Sequence, residues 1–544
     1  MSITIHDNTG STFTIPLQAG VTLAQLIWTS GHVDPPALCS ALGRCKRCIV
    51  RLSAHVPEPT EADLRLLSAQ ELADGMRLAC RHVAKAGMVV HIPVSSTGHN
   101  ATTLQPGSTL SPSTPAPAAA DSAAPPCGTL HLAIDLGTTS LQWVALDSDG
   151  HTFSAGTRLN PQMGAGSEVM SRLAAASTAE GRATLQRLTV TALQRIIAAL
   201  EDASGSTVGD LCVAANPAMT LILLNRDVAG IATAPYHLDL IGGTQEHIPG
   251  LPPVWIPPQP SPFVGGDLSA GMCALLHEHA PTYPFLLADL GTNGECILAL
   301  GPDDALVASV ALGPALEGIG LTHGCVAQPG AITSFSLTPA GLVAHVLNAD
   351  ATSLRPLHPG EAATGISGTG YLSLVHALLR AGLLDNEGRF VTSPLSPLAQ
   401  KLAASHFLQK DDGEMRLSLS GGLALYASDV EELLKVKAAF SLAVERLLHA
   451  ANLPRTALTA LYLAGALGMH ATPSDLEGIG FLPPGMAARA VAVGNTSLRG
   501  AALLLTDPEL RAPLSRWRDG CRALDLTADP GFSAAFLRHM RFGL

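Results

Sequence analysis

Twice along the chain an apolar strand runs into Asp-x-Gly-Thr and turns straight back into a second strand. The two copies are HLAIDLGTTSLQWVAL, with Asp135, and PFLLADLGTNGECILAL, with Asp289. Glycine at 137 and 291 permits the close backbone approach that so tight a turn needs. Thr138, Thr139, Thr292, Asn293 and the backbone of Gly294 supply hydrogen-bond donors, a combination suited to an anion. A carboxylate at the end of each first strand can hold a hard divalent cation or its waters. One copy alone would pass for an ordinary hairpin turn. Two in order, followed by YLAGALG at 462–468 with Gly465 and Ala466, mark a repeated binding framework.

The rest of the composition narrows the class. At 544 residues the chain exceeds one ordinary core, so two or three domains are expected. With 47% hydrophobic and 14% charged residues it can bury a large interior. A formal net charge of -12 speaks against general affinity for nucleic acid or anionic membranes. The start, MSITIHDNTG, has neither the basic opening nor the apolar core of an export signal. The apolar stretches fall short of the roughly 20 residues a spanning helix needs. These features predict a soluble, cytoplasmic protein without a membrane segment or a nucleic-acid partner.

Four of the 10 cysteines gather near the N-terminus, at Cys39, Cys45, Cys48 and Cys80. Around them the pattern predicts a hairpin (SITIHD, a turn at Asn8-Thr9-Gly10, STFTIPL), a short helix ending at Gly31, a cysteine-rich loop and a last strand, GMVVHIPV. This segment resembles a [2Fe–2S] ferredoxin, with Cys-x5-Cys-x2-Cys one residue longer than the plant-type spacing and matching the adrenodoxin-like variant. The resemblance implies a cluster held by those four thiolates, three from one loop and one from a separate strand. Gly43, with the small Ser40 and Ala41, would let backbone reach the sulfides. Structural cysteines or a zinc site are the alternatives; zinc sites favour paired Cys-x2-Cys units, and only Cys45 and Cys48 form one. Arg44, Lys46, Arg47 and Arg51 make the loop basic, fit either for an acidic partner or for plain solvation.

Residues 95–127 are rich in Ser, Thr, Pro and Ala and hold almost no charge. Such a composition builds no core and behaves as an extended, flexible tether. The predicted organisation is therefore a ferredoxin-like domain at 1–94 and a linker at 95–127. A first part of the large domain follows at 128–270, with room for a small middle domain to about residue 207, and a second part at 271–544.

The paired hairpins resemble the phosphate loops of the sugar kinase, Hsp70 and actin (ASKHA) superfamily. Further landmarks are NPQMGAGSEVMSRL (160–173), ANPAMT (215–220), FVGGDLSAG (263–271), GPALEGIGLTHGCVAQPGAI (313–332), GISGTG (365–370) and VGNTSLRGAALLL (493–505). In this order, behind a ferredoxin and a linker, the chain is similar to the reductive activators of corrinoid proteins. The resemblance implies an α/β multidomain fold: a β-grasp ferredoxin, then a duplicated actin-like domain. It implies ATP and Mg²⁺ as cofactors beside the [2Fe–2S] cluster, and Asp135 and Asp289 in the catalytic role. Gly137, Thr138, Thr139, Gly291, Thr292, Asn293, Gly294 and Gly318 would hold nucleotide, with Gly465 and Ala466 in an adenosine loop. The implied activity is ATP-dependent one-electron reduction of a corrinoid protein from the cob(II) to the cob(I) state. The implied partners are that protein and a low-potential electron donor, with a homodimer left open.

Three alternatives stand beside it. A small-molecule kinase with a redox-sensing ferredoxin would use Asp267 as its base. An activator of a radical dehydratase would have related phosphate loops but carry a [4Fe–4S] cluster between subunits, and the N-terminal ferredoxin speaks against it. A chaperone-like protein would dock on a corrinoid protein without reducing it. The remaining cysteines (127, 212, 273, 296, 325 and 521) are expected in the core, and Asp429 and Lys437 as a solvated or interface pair on one helix face.

Overall fold

A computed structural model describes residues 1–7, 9–18, 20–36, 38, 41, 43, 46–93, 105–106, 128–318, 320–339, 341–350, 353–393, 396–405, 408–411, 414–465, 471–526 and 529–543. It divides into two compact units. One is built mainly from residues up to 267 with 501–508, the other from 268–500 and the chain from 509 onward. The expected linker at 95–127 lies almost wholly outside the described residues. No helix among the described residues is long and apolar enough to cross a membrane.

In the first unit, Ser2–His6 and Thr12–Pro16 pair antiparallel, as the alternation of Ile3, Ile5 and Ile15 requires, with those three side chains buried. Val89–His91 pairs parallel to Ser2–His6, then Ile49–Ala54 and Met76–Leu78 complete a five-stranded sheet. The helix Leu23–Trp28, started by a Thr22–Gln25 capping box, lays Leu23, Leu26, Ile27 and Trp28 into the core below it.

The same unit holds a second sheet around Leu130–Leu136. This strand is flanked by its hairpin partner Ser140–Leu146 and, in parallel, by Val208–Ala215. Leu130, Leu132, Ile134 and Leu136, which share one face of the strand, are all fully buried, while His131 and Asp135 on the opposite face are only partly so. The helix Ala179–Ser204 covers one face, capped by Thr178 and closed by Gly205 at φ 69°. Within this unit the ferredoxin sheet and this α/β region are in contact. Arg158 Nη2 lies 2.7 Å from Asp34 Oδ1, Arg195 Nη2 donates to the Gly31 carbonyl at 3.3 Å, and Gly164 packs so near the Trp28 carbonyl and Cβ that a β-carbon would not fit.

The second unit repeats the plan. Phe285–Leu290 pairs antiparallel with its hairpin partner Asn293–Gly301 and parallel with Leu461–Ala464. Asp304–Ala311, Cys521–Ala523 and Ala490–Gly494 extend this to six strands. Two long helices, Gly368–Ala381 and Ala427–Ala450, carry much of its core.

Candidate functional site

The strand register explains how two distant cysteines meet. Ile49 opposes Leu78, so Cys48, just before one strand, and Cys80, in the turn after the other, are brought side by side. Ala79 N–H donates to the Cys48 carbonyl at 2.9 Å, and the two buried sulfurs lie 3.3 Å apart. Cys39 and Cys45 fall outside the described residues. The loop turns sharply at Ala41 and Gly43, between them, and at Lys46, just after Cys45, all with left-handed φ of 62°, 70° and 56°. Arg81 and Arg65 hold it down by donating to the carbonyls of Ala41 and Gly43 at 3.2 and 3.1 Å. Two buried thiols at this spacing, beside a tightly wound loop, fit a pair of metal ligands that need open only slightly.

Asp63 anchors this corner. Its carboxylate accepts from Leu78 N–H, Thr60 N–H, Thr60 Oγ1 and His82 Nε2, each at 2.7 Å. Burial alone would push the Asp63 carboxyl up, but these donors hold it below the usual carboxylate value. A recess of about 160 Å³ faces Cys48, Cys80 and Leu38 and is closed from the other side by Met163, Gly164 and Gly166.

The first Asp-x-Gly-Thr turn stands in the same unit. Asp135 sits one residue from the strand end, opposite Gln142 and beside Ala214 of the parallel neighbour. Thr138 and Thr139 are buried in the turn. Asn216 caps the next helix by accepting from Met219 N–H at 3.0 Å, and its amide donates to Thr138 Oγ1 at 3.1 Å. Asn160 donates to the Gly137 carbonyl at 2.7 Å, and Arg172 to the Thr138 carbonyl.

The second turn is built similarly in its own unit but is one residue tighter, Leu290 pairing with Gly294 where Leu136 pairs with Leu141. Asp289 lies opposite Glu295 and beside Ala464. Gly291 N–H donates to the Asn293 carbonyl at 3.1 Å, and the Thr292 carbonyl accepts from Leu312 N–H at 3.2 Å. Gly465 directly follows the parallel neighbour at φ 78°, so close that a β-carbon there would overlap Asp289 Oδ1. By register it corresponds to Ala215 in the first unit, one residue before Asn216. Ala466 lies outside the described residues.

Gly318 is separate in sequence but also turned to positive φ, 72°, where a side chain would strike the Cys325 backbone. The loop between them is fixed by Asp429, whose Oδ1 accepts from Thr322 N–H and Oγ1 at 2.8 and 2.9 Å. Burial pushes the Asp429 carboxyl up. Asp429 and Lys437 are therefore not a solvated pair. Both are buried, and Lys437 Nζ donates to the Arg541 carbonyl at 2.9 Å. Cys212, Cys273, Cys296 and Cys325 are buried as expected. Asn160, Arg172 and Asn216 reach the first turn from elements distant in sequence, so no local signal marks them as its supports.

A ferredoxin joined to a duplicated hairpin domain defines an iron–sulfur protein of the ASKHA class. Residues 6–85 match the 2Fe-2S iron-sulfur cluster binding domain. Residues 130–279 match the RACo middle region, and 284–543 the C-terminal domain of RACo, the ASKHA domain. The chain belongs to the RACo family. It is 30% identical over 265 residues to a [Co(II) methylated amine-specific corrinoid protein] reductase of Methanosarcina barkeri, covering 46% of this chain and 44% of that one. It is 26% identical over 436 residues to the corrinoid activation enzyme RamQ of Eubacterium limosum, covering 76% and 70%. The chain thus spans less than half the length of the first of these relatives. A solved structure, a reductive activator for a corrinoid, iron-sulfur protein, shares the fold with a TM-score of 0.65 at 21% identity over 99% of this chain and 98% of that one.

Proposed function

We propose that the chain is an ATP-driven reductive activator that passes one electron to the cob(II) state of a corrinoid protein. The observation that carries this reading is the coexistence of two features. One is a buried thiol pair, Cys48 and Cys80, in a ferredoxin sheet; the other is a pair of like-built Asp-x-Gly-Thr turns, one in each unit. Cys39, Cys45, Cys48 and Cys80 hold a [2Fe–2S] cluster, which when bound supplies a one-electron carrier. The turn residues Gly137, Thr138, Thr139, Gly291, Thr292, Asn293 and Gly294 bind nucleotide phosphates through backbone and hydroxyl donors. Asp135 and Asp289 hold Mg²⁺ or orient its waters. Gly318 and the Gly465–Ala466 segment line the nucleotide site.

The energetics explain why ATP is needed. Plant-type clusters sit near roughly −400 mV, and a corrinoid at cob(II) takes an electron at a still lower potential, as the family resemblance implies. Each 100 mV uphill costs about 2.3 kcal/mol for one electron. Nucleotide can cover that gap only by binding one state of the protein more tightly than another. One electron leaves the protein, cob(II) becomes cob(I), and ATP yields ADP and phosphate. A low-potential donor protein refills the cluster.

The test is anaerobic. Dithionite-reduced protein is mixed with a cob(II) corrinoid protein, and the visible spectrum is followed with and without Mg-ATP. Formation of cob(I) with ATP, absent without it and absent in Cys48→Ser, is the expected result. ATP turnover stimulated by a small hydroxyl compound and indifferent to corrinoid protein would establish a kinase instead.

A further inference from the structure

The loop that closes the recess over Cys48 and Cys80 is also bonded to the first Asp-x-Gly-Thr turn, and two buried side chains make the connection. Asn160 ends the strand that follows the hairpin. Its side-chain amide donates to the Gly137 carbonyl at 2.7 Å, and its own N–H donates to the Thr139 carbonyl at 2.8 Å. Its Oδ1 accepts from Gln162 N–H at 2.8 Å, which starts the 3₁₀ turn Pro161–Ala165 that carries Met163 and Gly164 to the recess. Arg172, fully buried on the helix Val169–Ala175, completes the bridge. One guanidinium arm donates to the Thr138 carbonyl, and Nε donates to the Gly166 carbonyl at 3.0 Å. Nη1 lies 3.2 Å from the Met219 sulfur, and Nη2 lies 3.4 Å from the Met163 sulfur.

This arrangement leaves little slack. A planar guanidinium fixes several acceptors in one rigid fork. In a low-dielectric interior, moving one acceptor off a charged donor costs about tenfold or more in an equilibrium. Gly166 itself packs closely on Ser171 of the helix that carries Arg172, with no room for a β-carbon between them. A shift of the Thr138 carbonyl must therefore be taken up by Arg172 and passed to Gly164 and Gly166.

We propose that Arg172 and Asn160 are positioning residues that transmit occupancy of the 137–139 turn to the loop facing Cys48 and Cys80, so that nucleotide changes the surroundings of the cluster. This rests on the nucleotide-binding reading above. Phosphate oxygens engaging the donors of Thr138 and Thr139 reorient the turn's peptide groups. The carbonyls of Gly137 and Thr138 move with them, and the 163–166 loop follows. The device acts inside one unit and adds no catalytic group.

The experiment uses full-length protein and Mg-AMPPNP as the probe, with binding measured separately by calorimetry. Visible circular dichroism of the cluster reports its surroundings, and amide exchange over 160–171, followed also in cluster-free protein, reports the loop. In the wild type, the analogue should change the dichroism and slow exchange by about tenfold, the effect of one charge-assisted hydrogen bond. In Arg172→Gln and in Asn160→Ala, the change per bound nucleotide should be largely lost while iron and sulfide content is kept. If Arg172→Gln fails to fold, Asn160→Ala and the wild-type response decide. A bound analogue that leaves wild-type dichroism and exchange unchanged overturns the coupling alone, as do variants that respond like wild type. Failure of the wild type to bind the analogue overturns both the coupling and the functional reading beneath it.

Discussion

Gly465 stands against Asp289 so closely that no side chain fits between them, and its φ of 78° is one that L-residues avoid. Gly465→Ala therefore combines left-handed strain, about 1–2 kcal/mol, with displacement of the Asp289 carboxylate. The expected outcome is a loss of ATPase activity of about tenfold or more, from displaced geometry worth at least 1.4 kcal/mol, with a smaller change in melting temperature. Unchanged turnover in a folded Gly465→Ala protein would separate Asp289 from nucleotide chemistry.

Asp289→Ala and Thr138→Ala should each lower ATP turnover well beyond any loss of thermal stability. Steady-state hydrolysis beside thermal melts checks this. A double variant hydrolysing ATP at the wild-type rate would reduce both hairpins to structural turns. Asn216→Ala removes a helix cap and the bond to Thr138 Oγ1, so it should cost about 1 kcal/mol of stability and also weaken nucleotide binding.

Much of this framework was legible because its signals are local. Asp135, Gly137, Thr138 and their counterparts at 289–294 are neighbours in sequence, as are the strands that carry them. The ferredoxin sheet was equally readable from the alternation of Ile3, Ile5 and Ile15 and from its cysteine spacing. Partners distant in sequence were not. Arg172 reaches Thr138 from a separate helix, and nothing in SEVMSRL distinguishes it from an exposed arginine. Asp429 and Lys437, expected as a solvated or interface pair, are instead buried, because helical spacing says which residues share a face and not what covers that face. The packing of Asp34 against Arg158 was likewise hidden, since ion pairs between elements leave no periodic trace.

Acid should loosen the ferredoxin region through Asp63. Its folded carboxyl lies below the unfolded value of about 3.9, so its contribution is complete above that pH and is lost as pH falls through the folded value. Asp63→Asn, which cannot accept from all four donors, should cost about 2 kcal/mol at pH 7. Thermal melts from pH 7 down to pH 3 should show the gap between wild type and variant closing. A gap that stays constant with pH would remove the charge from the account.

Cys48→Ser should remove or alter the rhombic EPR signal expected of a reduced [2Fe–2S] centre. Nucleotide should still bind, because the hairpins draw no residue from the ferredoxin sheet. Wild-type protein reconstituted with iron and sulfide yet lacking any such signal would end the ferredoxin assignment.

The central claim is that the electron reaching the corrinoid protein comes from the cluster and moves only with nucleotide. Stopped-flow absorbance can follow both centres in one mixing experiment, using pre-reduced protein freed of dithionite, a cob(II) corrinoid protein and Mg-ATP. The account predicts that one cluster is oxidised for each cob(I) formed, at matching rates, and that neither change occurs without ATP. Formation of cob(I) while the cluster stays reduced, or at the same rate without ATP, would contradict it.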